Sequence, residues 1–143
     1  MPTHAEKRIV LYSPEQMFDL ILDIEKYPEF LPWCNAAQVR ERGKDYLIGD
    51  LTIGYKMMSS TYRSKVVFNR PHRIDIEYVE GPFKHLKNHW QFKTVNNGCE
   101  IDFFIDFEFK SSLFQHLMEY VFNAAVRVMI NAFETRASVI ANA

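Results

Sequence analysis

The sequence predicts an α+β fold: a curved antiparallel sheet of about seven strands around one long C-terminal helix, with two short helices after the first strand. Three observations predict it. Residues Ser112 to about Ala141 contain neither Pro nor Gly, and their apolar side chains fall on one broad arc at 3.6 residues per turn. Between Ala36 and Lys110 the apolar period changes to two, the mark of half-buried strands. Turn-forming groups punctuate that stretch at Gly43-Lys44-Asp45, Asn69-Arg70-Pro71, Gly81-Pro82 and Asn96-Asn97-Gly98, which makes the neighbouring strands antiparallel.

Length and composition bound the rest. The 143 residues suit one domain spanning 1–143, and a hydrophobic content of 48% provides for a substantial core. The formal net charge of −1 steers the chain neither to DNA nor to an anionic membrane, although a local basic patch stays open. Cys34 and Cys99 make no disulfide framework and no CxxC site, which fits a reducing compartment. There is no apolar run of ~18 residues, and the first residues lack a signal-peptide core. A cytoplasmic location is the expectation.

In chain order, His4 to Tyr12 has strand character with Ile9-Val10-Leu11-Tyr12 as its apolar end. Ser13-Pro14-Glu15-Gln16 starts a helix, with Ser as N-cap, Pro at the first position and an acid in the first turn. The run Lys26-Tyr27-Pro28-Glu29-Phe30-Leu31-Pro32-Trp33-Cys34 cannot be a regular helix, because each Pro disfavours the α conformation just before it. It reads as a compact irregular segment or a very short helix. Its apolar side chains exceed what an idle surface loop carries, so it is expected to gate a cavity. Leu47, Gly49, Leu51, Ile53 and Tyr55 share one strand face; Ile74, Ile76 and Tyr78 another; Trp90 and Phe92 a third. Ile101, Phe103, Ile105, Phe107 and Phe109 form the cleanest alternation. Ser112-Leu113-Phe114-Gln115 has capping-box form for the last helix. The sheet needs an apolar cover, and that helix supplies it. The wedge between them is either filled or open to a ligand.

No catalytic or metal centre emerges. Cys34 carries no local His or Asn signature of a thiol nucleophile, so a packed thiol is expected. His85 and His89 sit in or beside a strand with no third ligand at metal spacing. Asp102 and Asp106 share an outward strand face, as solvated acids do. No P-loop, dinucleotide fingerprint or nucleophile elbow is present. Arg40, Arg42, Arg63 and Lys65 form either a solvated face or a basic stripe for phosphates. Arg136 projects onto the apolar arc of the last helix. It either snorkels or reaches the cavity mouth to bond a carbonyl.

The run Tyr27-Pro28-Glu29-Phe30-Leu31-Pro32-Trp33-Cys34, with Ser13-Pro14, Gly81-Pro82-Phe83-Lys84, Trp90-Gln91-Phe92 and the strand Asp102 to Phe109, resembles the coenzyme Q-binding family of the START-like helix-grip superfamily, together with its bacterial ribosome-association toxin relatives. The resemblance covers nearly the whole chain. It implies a non-catalytic domain, without cofactor, that holds ubiquinone in a hydrophobic tunnel and supports respiration. It would touch the membrane surface transiently, peripheral to the inner membrane. The candidate lining is Phe30, Leu31 and Trp33, as a hydrophobic plug or as the lid of a lipid entrance, with Leu51, Ile53, Tyr55, Trp90, Phe103, Ile105, Phe107, Phe122, Met129 and Phe133 as the wall. The alternative is an inhibitor of translation that binds the large ribosomal subunit through Arg40, Arg42, Arg63 and Lys65. An enzyme of the aromatase or cyclase type is a third reading. It is disfavoured because no convergent polar groups are apparent on the inward faces.

Overall fold

Seven strands form one antiparallel sheet in the order β1-β7-β6-β5-β4-β3-β2. They are β1 (Thr3–Val10), β2 (Cys34–Arg42), β3 (Tyr46–Tyr55), β4 (Met58–Asn69), β5 (Arg73–Glu80), β6 (Phe83–Val95) and β7 (Gly98–Phe109). Helix α1 (Pro14–Leu22) and a 3₁₀ turn (Ile24–Glu29) follow β1, and helix α2 (Ser112–Ala141) ends the chain. The computed structural model describes residues 3–31, 33–55 and 58–141, and the description does not extend to the side chains at 55, 58, 117–126, 128, 129 and 141. This is the predicted α+β helix-grip arrangement.

Local chemistry fixes the joints. At the start of α1 the Ser13 hydroxyl accepts from the Gln16 N–H at 3.1 Å, and the Gln16 side chain accepts from the Ser13 N–H at 2.9 Å. This capping box orients a helix that buries Met17, Phe18, Leu20 and Ile21. The cap of α2 lies one residue earlier than expected. Ser111, not Ser112, offers its hydroxyl to the Phe114 N–H at 3.2 Å. Gln115 accepts from the Phe109 N–H at 2.7 Å, which ties the helix to the end of β7. The β6–β7 hairpin turns on Asn96 and Asn97, the latter at φ 66°. Gly98 answers a different need, since a Cβ there would collide with the Val10 carbonyl oxygen of β1.

The register sets the inner surface in rows. Phe68, Ile74, Trp90 and Phe103 stand opposite one another across β4 to β7. Val66, Ile76, Asn88 and Ile105 form the next row. On α2 the described stripe that seats on the sheet is Ile130, Phe133 and Ala137, spaced i, i+3, i+7. Ile140, on the predicted arc, lies exposed in the last turn. The apolar end expected of β1 is also narrower than predicted. Only Val10 is buried, whereas Ile9 and Leu11 alternate outward and His4, Glu6 and Arg8 take the inward-facing positions.

Candidate functional site

Trp90 and Phe103 are buried on adjacent strands with ring centroids 4.4 Å apart. Phe133 of α2 meets Trp90 at 5.5 Å, and Tyr27 and Phe30 of the proline-containing segment at 5.3 Å each, all edge-on. One ring on the helix therefore joins sheet and segment. Phe107 is buried, while Leu51, Ile53 and Ile105 are half-buried against the same core. Among the candidate wall residues, Tyr55, Phe122 and Met129 lie outside the described side chains.

The enclosed space at this end is small. A slit of about 20 Å³ lies among Met17, Ile21, Trp90, Phe103, Ile130 and Phe133, with Glu6, Arg8 and Glu134 on its polar side. That volume is about what one water needs. Arg8 closes the β1 side by bonding Glu134 and Asn131 of α2, each at 3.1 Å, and Glu6 at 3.1 Å. None of this network was legible in advance.

On the other side, the proline-containing segment is better fastened than its prolines suggest. The Tyr27 hydroxyl donates to the Ile21 carbonyl. The Leu31 N–H reaches the Tyr27 carbonyl at 2.9 Å, and the Gly54 N–H of β3 bonds the Trp33 carbonyl at 2.8 Å. Leu31 is buried, whereas Phe30 and Trp33 are half-buried. Pro28, Glu29, Phe30, Leu31, Cys34 and Asn35 border an open surface groove. Arg136 bridges helix and segment. Its Nη2 donates to Glu29 at 2.9 Å, and its Cζ lies 5.4 Å from the Phe30 ring centre. That hydrogen bond holds the Glu29 carboxyl below its ordinary range.

The interior carries more polar groups than the sequence suggested. Asn88 occupies an inward row position between Leu86 and Trp90, and its amide donates to the Phe104 carbonyl at 2.7 Å. Ser64 is buried on β4. Burial pushes the Tyr62 and Tyr27 hydroxyls upward, so both are neutral donors. The break in apolar alternation at Asn88 was the available signal. Burial also pushes Cys34 and Cys99 up to about 11, so neither is a poised nucleophile.

The four basic residues of the outer face do not share one free stripe. Arg40 and Arg63 both bond Asp50 at 2.8 Å, and Arg63 also meets Glu80 at 3.6 Å. Arg42 pairs with Glu25 at 3.0 Å, and Lys65 lies 5.1 Å from the Tyr46 ring centre. The arginines together hold Asp50 below the usual carboxylate range, Arg63 most strongly. His85 bonds Asp106 at 3.2 Å, and His89 stacks on Phe104. No helix of the described residues is long and apolar enough to cross a membrane.

A family model described as polyketide cyclase / dehydrase and lipid transport matches residues 10–134. The chain belongs to that family. Within the polyketide cyclase / dehydrase and lipid transport family it is 39% identical to ribosome association toxin RatA of Rickettsia prowazekii, over 96% of this chain and 97% of the relative. It is 32% identical to the mitochondrial coenzyme Q-binding protein COQ10 homolog B of Xenopus laevis, over 94% of this chain and 57% of that protein. An 18 kDa Caulobacter crescentus protein solved in solution shares 28% identity over the full length of both chains, with a TM-score of 0.79. The START-like, helix-grip assignment thus stands on family, relatives and fold together.

Proposed function

We propose that this member of the polyketide cyclase / dehydrase and lipid transport family is a non-catalytic carrier. Its ligand is ubiquinone or a similar polyisoprenoid quinone, taken between the sheet and α2. The observation that carries this reading is the convergence of Leu51, Ile53, Trp90, Phe103, Ile105, Phe107 and Phe133 on one inner surface, each buried or half-buried. Burying an isoprenoid tail there is worth about 0.8 kcal/mol per CH₂, so affinity needs no covalent chemistry. The relative whose name records coenzyme Q binding supports the choice of ligand. The slit is too small for a chain, so loading displaces side chains. The Phe30–Trp33 lid moves against α2 while in transient contact with a membrane surface, which suits a role in respiration at the inner membrane.

The test is mass spectrometry of lipids extracted from the purified protein. Wild type is expected to carry a quinone. Ile105→Arg, confirmed folded by circular dichroism, is expected to carry none, because an unpaired charge on the inner wall is costly. A folded Ile105→Arg protein with undiminished quinone content sinks the reading.

The Rickettsia relative favours a second reading, contact with the ribosome through the outer face. Phosphate contact weakens steeply with salt. Co-sedimentation with ribosomes that survives at physiological salt and disappears on Arg42→Glu with Lys65→Glu supports this reading over the carrier. Arg40 and Arg63 are poor choices for that test, because altering them strands Asp50.

A further inference from the structure

The Nε of Arg136 is buried and has no hydrogen-bond partner. No other described side-chain N or O that is this deeply buried shares that condition. Elsewhere on the guanidinium, Nη2 bonds Glu29 and Cζ lies 5.4 Å from the Phe30 ring centre. A cation–π contact steadies the charge but offers no lone pair in line with the Nε–H. Phe133, three residues before Arg136 and thus beside it on the helix surface, is the ring that joins Tyr27, Phe30 and Trp90. One charged, unanswered donor thus stands beside the Phe30 ring and next to Phe133 on its helix. That is the composition of a site for a flat ring bearing an acceptor oxygen. Native interiors rarely leave such a donor orphaned.

We propose that the Arg136 Nε–H is the head-group anchor, which bonds a ring carbonyl oxygen of the quinone once the Phe30 and Phe133 rings, now in edge-on contact at 5.3 Å, part to admit the head. This rests on the quinone reading above and assigns the polar end of its ligand. Glu29 is then a positioning residue. It holds the far nitrogen so that Nε faces inward, and it fastens the lid segment to α2 through the side chain that meets the ligand.

The test uses the full chain and two probes. Decylubiquinone carries ring carbonyls. Decylbenzene has the same tail and a ring without them. Both are titrated calorimetrically into wild type and Arg136→Lys. Lysine keeps a cation for Glu29 but has no donor at the depth of Nε. The expected result is a loss of about tenfold or more for decylubiquinone, as for a hydrogen bond to a charged donor. Decylbenzene is expected to change by less than about twofold. Glu29→Gln keeps an oxygen acceptor for Nη2 but loses the charge, so the preference of decylubiquinone over decylbenzene is expected to fall, though by less than in Arg136→Lys. Equal weakening of both probes in Arg136→Lys, or none, overturns the anchor while leaving the carrier reading intact. Loss of the preference in Glu29→Gln with Arg136→Lys unchanged overturns it also. Wild type that binds neither probe overturns the quinone reading and the anchor with it. Thermal midpoints of the variants establish that each is folded.

Discussion

On the concave face of the sheet, Phe68, Ile74, Trp90 and Phe103 stand in one row across four strands. On the convex face, Asp50, Arg63 and Glu80 stand in another across three. The first row gains by removing area from water, in rough proportion to that area and with little directional demand. The second is made of charges that answer one another. Two arginines share Asp50, and each is consequently less available to a phosphate than its count in the sequence implies. A chain rich in outward arginine is therefore not thereby a polyanion binder. What matters is how many of those charges stay uncommitted once the strands are in register.

The comparison breaks most readily at Phe133, where three aromatic neighbours meet. Phe133→Ala leaves a hole among Tyr27, Phe30 and Trp90 and is expected to cost about 3–4 kcal/mol, measured by denaturant unfolding. A loss below about 1 kcal/mol would mean the cluster is loosely packed.

On the outer face the largest expected effect is at Asp50. Asp50→Asn leaves Arg40 and Arg63 without their shared carboxylate. Because both guanidinium groups are a third to a half exposed, the cost is about 1–2 kcal/mol rather than that of a fully buried pair. The pH dependence follows from the sign of the shift. The folded pKa of Asp50 lies below its unfolded value, so the stabilisation is present above the ordinary carboxylate range and is lost as pH falls through the folded value. The gap between wild type and Asp50→Asn is therefore expected to narrow on acidification from pH ~6 to ~3. A gap that stays constant would show that Asp50 is not held as a carboxylate.

The smallest effect sharpens the contrast. Arg42→Glu with Lys65→Glu is expected to shift unfolding by less than about 0.5 kcal/mol, since both side chains stand on the solvent side. A large loss in chemical denaturation would show that the convex face stabilises the fold as the concave one does.

These two faces were not equally legible in the sequence. Alternation identified Phe103, Phe107 and Phe109 as inward, because burial on one side of a strand needs only a period of two. Ser13 and Gln16 identified their own cap, because the motif is local. The pairing of Asp50 with Arg40 and Arg63 depends on which strands neighbour and in what register, and a bulge between Val39 and Glu41 intervenes. Nothing along the chain states either. The same holds for Arg8 with Glu134 and for Arg136 with Glu29, contacts across 126 and 107 residues. Asn88 was legible as a polar break in an apolar row, but a single break does not reveal that its amide closes on the Phe104 carbonyl. The Ser111 cap shows the grain of such readings. A Ser does cap the helix, but one place earlier, and Gln115 reaches back to the Phe109 N–H of β7 instead of standing at the third position of the box.

That cap has a mechanical consequence. The Gln115 bond to Phe109, and the Phe109 ring stacked on Phe114 at 4.3 Å, make the start of α2 a pivot welded to the end of β7. The other end is held by clasps of side chains, Arg8 on one flank and Arg136 on the other. A 30-residue helix is a lever about 45 Å long. Swung ~5° about its pivot, it carries its far end about 4 Å, roughly the thickness of a flat ring, without breaking a bond in the helix ladder.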